Sequence, residues 1–454
     1  MKDLGQHGPA GSAGGAAAVL PSAAEVQAFT ARVSGGAASA MTDAERIDFL
    51  RAAEELKCAL EGAQADVSVA FDASQRAEQA RAGVRAERQG RGVAAQIALA
   101  RRVSHHRGKK LLHLATRLQD LPETRDALRA GRITELKASI VARDTECLSP
   151  DLRARVDLAI AGDPEWLESL GERQLEAEVQ KLAYRLDPQA FVKRSAQAVA
   201  DRRVTSRPAP DTMMRLGALL PVVQGVAVYA ALHSWALARI AAGDPRSKGQ
   251  LMADRLVELV TGQASADQVP VRADVVLADT TLLGVDDEPG WVAGYGPIPA
   301  DVARHLIHRA HEHGLAALRR LYAHPATGRL VAAESRSRRF PDGLAALIGL
   351  RDQGRCRTPW CDAPIADNDH AQGLADGGPT SLVNGQGTCK ACNIAKEAIG
   401  WRARPRPGPA GHPDLHTIET TTPTGHVYTS VAPQVRVVRR PMSMEIYLGD
   451  ESVA

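Results

Sequence analysis

The residues with the clearest chemical capacity lie between Arg351 and Trp401. Cys356 and Cys361 are separated by four residues, and Cys389 and Cys392 by two. Paired thiolates at such short spacing turn both sulfurs toward one ion, and two pairs complete the tetrahedral set of a structural zinc. Between the pairs stand Asp369-His370 and then Gly377-Gly378-Pro379-Thr380-Ser381-Leu382-Val383-Asn384; Asn393 and Lys396 follow the second pair. An imidazole titrates near pH ~6.5, so His370 can accept a proton from water at neutral pH. The other two cysteines, Cys58 and Cys147, stand alone in helical surroundings.

This run resembles the signature of HNH nucleases, whose ββα-metal fold grips one catalytic divalent ion between a two-stranded ribbon and a helix. His370 matches the first histidine, at the end of the first strand. Asn384 matches the middle asparagine, in the loop leading into the second strand. Asn393 stands at the third position, on the helix, where histidine is frequent and asparagine is a known variant. An amide oxygen is a harder ligand than an imidazole, so metal preference shifts with it. The resemblance implies that His370 is the general base, held in position by the Asn384 amide. It also implies that Asp369 and Asn393 ligate a catalytic ion such as Mg²⁺ or Mn²⁺, which stabilises charge on the phosphate and the departing oxygen. Asp367 shares a strand side with Asp369 and is either a reserve ligand or a solvated carboxylate. Lys396, one helical turn after Asn393, either contacts a phosphate or faces water. Because Cys392 adjoins Asn393, the zinc would fix the helix that presents a catalytic ligand.

The longer chain resembles actinobacterial 13E12-repeat proteins, which join a helical domain of unknown function to a C-terminal HNH module. The resemblance rests on Leu121-Pro122-Glu123-Thr124-Arg125-Asp126-Ala127-Leu128-Arg129-Ala130-Gly131-Arg132-Ile133. It also rests on His324-Pro325-Ala326-Thr327-Gly328 and on Arg351-Asp352 leading into Cys356.

These residues need a scaffold, and composition says it is helical. Of 454 residues, 44% are hydrophobic and only 4% aromatic; the abundant Ala, Leu, Arg and Glu are strong helix formers. The net charge of +3 permits nucleic-acid binding without arguing for it, so basic residues would have to be concentrated locally. Residues 1–22, rich in Gly and Ala, read as a disordered leader without the apolar core of a signal peptide. A helical domain is expected over 23–200. It opens with a capping box at Thr42–Glu45 and carries a stripe of Phe49, Ala53, Leu56, Leu60, Ala63, Val67 and Ala70 that asks for a partner helix. Further helices are expected over 92–118, 133–143, 150–162 and 165–186. A mixed α/β continuation spans 201–340, with a strand over 269–283, a loop over 290–299, and helix over 299–313 and 315–322. The nuclease module covers 341–405, and 406–454 form a linker and a β-hairpin tail over 417–438. The fold class is thus a mainly α N-terminal region, a mixed α/β middle and a zinc-braced ββα-metal module.

Three features carry less. The run Arg101, Arg102, His105, His106, Arg107, Lys109 and Lys110 either contacts phosphates or is a solvated helix junction. His305, His308, His311 and His313 lie on one helix without a tight ligand spacing. The apolar stretch 216–240 holds Pro221, Gln224, His233 and Arg239, which makes it a buried helix rather than a membrane span.

The expected function is a cytoplasmic, metal-dependent endonuclease acting on double-stranded DNA. It would contain a structural zinc and a catalytic divalent ion, possess no membrane segment, and self-associate, if at all, through the N-terminal helices. The competing expectations are a DNA-binding or regulatory protein with an inactive module, and a helical scaffold that merely holds zinc and ignores DNA.

Overall fold

Helix starts along the first half of the chain follow capping chemistry. A computed structural model describes residues 19–265, 275–277, 279–284, 286–292, 295–312, 334–335, 339–413 and 415–433. Ten helices come first: α1 (Ala23–Ser34), α2 (Asp43–Arg81), α3 (Val93–Ala100), α4 (His105–Arg117), α5 (Pro122–Arg129), α6 (Glu135–Asp144), α7 (Pro150–Ala161), α8 (Pro164–Ser169), α9 (Glu172–Leu186) and α10 (Pro188–Ala200). The Thr42 N–H donates to Glu45 Oε2 at 2.7 Å and the Glu45 N–H to Thr42 Oγ1 at 3.3 Å, the reciprocal pair of a capping box. Thr134 and Ser149 cap α6 and α7 by one bond each, their side chains accepting the Lys137 and Leu152 N–H. The leader expected over 1–22 lies mostly outside the described residues; residues 19–22 are exposed.

The chain divides into two compact units. One takes the described residues of 1–69 and 114–186, the other those of 70–113 and 187–454.

The first unit is built on α5, α6, α7 and α9. Leu118, Leu121, Leu128, Ile133, Leu167 and Leu175 are fully buried at its centre, each contributing roughly 1.5–3 kcal/mol. Helix α5 begins after Leu121, which has no side chain able to cap. A neighbour supplies the cap. Asp157 of α7 accepts the Glu123 N–H at 2.8 Å, the Thr124 N–H at 3.1 Å and the Thr124 hydroxyl at 2.5 Å. Burial pushes the Asp157 carboxyl up from its usual range, against these three bonds.

The stripe expected to bind a partner helix is not the packing face of α2. Phe49, Leu56, Leu60 and Val67 are exposed, whereas Cys58 joins the core and Gly62 is buried. Size explains the choice of face. A Cβ on Gly62 would sit 2.9 Å from Arg129 Cγ and 3.0 Å from Arg129 Cα, so α2 docks through small residues that allow close approach.

In the second unit, α3 and α4 break at residues 101–104, with Arg102 at φ 54°. They pack closely through Gly108, where a Cβ would fall 2.5 Å from Ala98 Cβ. Strands β1 (Arg203–Ala209) and β2 (Met213–Leu219) form a hairpin ahead of α11 (Val222–Ala241) and α12 (Lys248–Thr261). The apolar stretch 216–240 thus splits between a strand and a helix. The helix is not buried: Val222, Val226 and Tyr229 are all more than 60% exposed.

Next come β3 (Val275–Val276), α13 (Asp279–Leu282), β4 (Gly290–Val292), β5 (Gly296–Ile298), α14 (Ala300–Glu312), β6 (Glu334–Ser335) and α15 (Asp342–Arg351). The strand expected over 269–283 gives way to helix at Asp279, and its first half lies outside the described residues. The expected loop 290–299 instead carries β4 and β5, because Trp291, Val292 and the buried Ile298 outweigh the flanking Gly and Pro. The helix expected over 299–313 is α14; residues 315–322 and His324–Gly328 fall outside the described residues.

The C-terminal part contains β7 (Asp367–His370), β8 (Thr380–Ser381), β9 (Gly385–Thr388), α16 (Lys390–Lys396), β10 (Arg402–Arg406), β11 (Thr417–Thr421) and β12 (Val427–Val431). The tail hairpin is β11–β12, with residues 434–438 outside the described span. The breaker-rich linker instead opens as a strand: β10 runs through Pro405 and pairs with β11. It is an edge strand in the order β10-β11-β12, where proline's missing donor is tolerated. No helix among the described residues is long and apolar enough to cross a membrane.

Candidate functional site

An antiparallel ribbon and a short helix bring the predicted residues together. Strand β7 pairs with β9 in the register Asp367 to Thr388, Asn368 to Gly387, Asp369 to Gln386 and His370 to Gly385. Helix α16 follows β9 directly. Cys389 is its N-cap, with the sulfur accepting the Cys392 N–H at 3.4 Å.

The four cysteines meet. The ligand atoms of Cys356, Cys361, Cys389 and Cys392 lie within 4.8 Å of one another. Cys361 Sγ is 3.8 Å from Cys389 Sγ and 3.6 Å from Cys392 Sγ. Sulfurs held ~2.3 Å from a tetrahedral zinc stand ~3.8 Å apart, so the spacing fits that ion. The first pair is held by a knuckle in which the Cys356 N–H donates to Ala363 O at 2.9 Å. Without a cation the cluster is in conflict. Hydrogen bonds from Cys361 and Cys392 hold the Cys356 thiol far below its usual range, while proximity to Cys356 pushes Cys361 up to about 12 and Cys392 higher still. A divalent ion lets all four deprotonate together. Among the described residues this is the one cluster of three or more His, Cys, Asp or Glu ligand atoms. Of the expected histidine cluster, the His311 side chain and all of His313 lie outside the described residues.

His370 is 9% exposed. Its Nε2 lies 2.9 Å from Thr380 Oγ1 and its ring centroid 4.5 Å from that of Phe340. Burial lowers its pKa, with Lys396 adding to the effect and Asp369 opposing it. The neutral imidazole is therefore the resident form at pH 7. Asp369 is pushed the other way, raised by burial against the pull of Lys396.

The Asn384 amide makes no hydrogen bond to the His370 ring. Its Oδ1 accepts the Gln372 N–H at 2.9 Å, and its Nδ2 donates to Gln372 O at 3.0 Å and Pro379 O at 2.8 Å. The amide therefore closes the loop between β7 and β9 and sets the position of Thr380, which in turn meets the ring. Gly378 has to be glycine here, since a Cβ would fall 2.0 Å from Gln372 O.

The expected ligand pair is split between two contacts. Asn393 Nδ2 donates to Asp367 Oδ2 at 3.0 Å, and Lys390 Nζ lies 3.5 Å from the same oxygen. Lys396 Nζ stands 3.2 Å from Asp369 Oδ2 and 2.6 Å from Glu397 Oε1. Asp367 thus engages Asn393 and is not simply solvated. Lys396 pairs with the carboxylates and is mostly buried. Asp369 Oδ2 is buried with the Lys396 ammonium as its partner, an oxygen already holding positive charge. Two strand carboxylates, Asp367 and Asp369, thus oppose Asn393 and Lys396 on the helix.

Residue types alone did not reveal two supports. Asp352, fully buried, receives Arg351 at 2.8 Å from each of two nitrogens and the Gly387 N–H at 2.8 Å. Arg351 also donates to Leu382 O and Gly385 O, and Arg357 donates to Ser430 O at 2.8 Å. Buried charges tie β9 to α15 and to β12, and Arg351-Asp352 ahead of Cys356 was the signal for it. The second support is His105, whose Nδ1 lies 3.9 Å from Cys392 Sγ. Burial lowers its pKa.

These features define a mainly helical protein whose small C-terminal sheets carry a buried tetrathiolate cluster able to hold a metal such as zinc. Residues 25–352 match the family model described as "Domain of unknown function (DUF222)", and the chain belongs to that family. The match ends at Asp352, before the first cysteine of the cluster. The chain is similar to the Mycobacterium tuberculosis "Uncharacterized protein Rv3776", at 28% identity over 385 residues, covering 74% of this chain and 70% of that protein. It is also similar to "Uncharacterized protein Rv2100" of the same organism, at 26% identity over 400 residues, covering 74% and 68%. No solved structure matches the chain.

Proposed function

We propose that the chain is a metal-dependent endonuclease of the HNH type, of 13E12-repeat kind, that hydrolyses DNA phosphodiester bonds. The observation that carries this reading is His370, buried at the end of a ribbon strand whose Asp367 and Asp369 meet the helix that carries Cys392. With Nε2–H donated to Thr380, the ring's lone pair sits on Nδ1, and that nitrogen takes the proton from the attacking water. Phe340 and Thr380 fix the ring, and Asn384 fixes the loop that carries Thr380. Asp369, Asn393 and Asp367 supply oxygens for a divalent ion, whose chemistry when bound is Lewis-acid stabilisation of phosphate and leaving-group charge. Lys396 exchanges Asp369 for a phosphate oxygen when DNA arrives. The test is plasmid cleavage by the purified protein with Mg²⁺ or Mn²⁺, set against His370→Ala.

A second reading, a DNA-binding or regulatory protein with an inactive module, draws on one specific observation. The Asp369 carboxylate already faces the Lys396 ammonium, and Asn393 already binds Asp367. That reading predicts a salt-dependent gel shift without cleavage under any divalent ion. Cytoplasmic location, double-stranded DNA as partner and self-association through the N-terminal helices belong to the same proposal.

A further inference from the structure

His105 is the first residue of α4, 287 positions before Cys392. It belongs to the densest basic run of the chain, yet it turns away from its neighbours. His106, Arg107, Lys109 and Lys110 are exposed, while His105 is half-buried beside the cysteine cluster. With Arg357, Thr358, Thr388 and Cys392 it lines a cavity of about 30 Å³. Two other contacts hold the same helix pair against the C-terminal part. Thr424 Oγ1 donates to Gln96 Oε1 at 3.1 Å. Gly92, at φ 82°, leaves room for Trp401, whose Nε1 would be 2.5 Å from a Cβ there.

Four thiolates around one Zn²⁺ carry a net charge of −2, concentrated on sulfur. A donor aimed at one sulfur disperses that charge and favours the thiolate over the thiol. We propose that His105 is a positioning residue of the zinc centre, donating its Nδ1–H to the Cys392 thiolate. The zinc then serves as a staple: it couples α4, inside the matched family region, to the cysteine cluster beyond it. Since Asn393 follows Cys392, the sulfur that joins zinc and meets His105 sits one residue from Asn393 on α16. The inference rests on zinc occupying the cysteines and is independent of nuclease activity.

The experiment uses the full chain as wild type, His105→Phe and His105→Gln. Phenylalanine keeps the ring shape without the donor; glutamine keeps a donor. Zinc affinity is measured by competition with a chelator, and the thiolate-to-metal charge-transfer band is recorded on the Co²⁺-substituted protein. The expected result for His105→Phe is a 10–100-fold loss of zinc affinity and a red-shifted band, because sulfur lone pairs rise in energy without the hydrogen bond. His105→Gln should recover both. Affinity and band position unchanged in His105→Phe would overturn the role of His105 while leaving the zinc site standing. A wild-type chain that binds no zinc would overturn both.

Discussion

The loop between β7 and β9 offers a substitution whose outcome depends on which atoms Asn384 holds. Its side chain makes three hydrogen bonds to the backbone, to Gln372 N–H, Gln372 O and Pro379 O, and Asn384 is 1% exposed. Each such bond contributes roughly 0.5–1.5 kcal/mol net. Pro379 is exposed, so water replaces part of that contact. Asn384→Ala should therefore cost about 2–4 kcal/mol of stability. The loop carries Thr380, so the His370 ring also loses its anchor, and misplacing a reacting group by ~1 Å costs on the order of 100-fold in rate. Asn384→Asp is the sharper test. The carboxylate keeps an acceptor for Gln372 N–H but turns an oxygen toward two carbonyl oxygens, so it should be at least as damaging as alanine. Urea unfolding, and cleavage rate at saturating DNA, measure both effects. An Asn384→Asp variant with wild-type stability and rate would refute the assignment of Asn384 to the loop.

Other outcomes follow from the same geometry. Metal analysis of the purified chain should find one zinc per molecule, and Cys361→Ser should lose it together with thermal stability of the C-terminal part. His416 donates from Nε2 to Val383 O at 2.8 Å, and burial, with Arg351 and Arg357 nearby, lowers its pKa to about 3. The unfolded chain binds that proton near pH ~6.5, so stability should fall as pH drops from there toward about 3; His416→Asn should flatten that window in pH-dependent denaturation. Asp157→Ala, which strips the cap from α5, should lower stability by roughly 3 kcal/mol in denaturant titration, since buried partners are left unsatisfied. An Asp157→Ala change within 0.5 kcal/mol of wild type would show the cap to be dispensable.

What the sequence made legible was local. Paired cysteines at short spacing point at one ion whatever the rest of the chain does, and capping residues such as Thr42, Thr134 and Ser149 mark helix starts directly. What stayed hidden depends on distant contacts. Asn384 has the residue type to hold a histidine, and only the folded loop shows that it holds Gln372 and Pro379. Thr380, Phe340 and His105 are common residue types whose relevance comes from what they meet. Large apolar residues mark the periodicity of α2 but not its packing face, because close helix packing uses Cys58 and Gly62. Strand β10 is masked in the sequence by Pro405, since proline signals a break, yet an edge strand accepts it.

The central claim is tested most directly by incubating supercoiled plasmid with the purified full chain and Mg²⁺ or Mn²⁺, beside His370→Ala at equal zinc content. Nicked or linear product is expected from the wild type, and a rate at least ~100-fold lower from His370→Ala. Equal cleavage by the two proteins, or none by the wild type with any divalent ion, would contradict it.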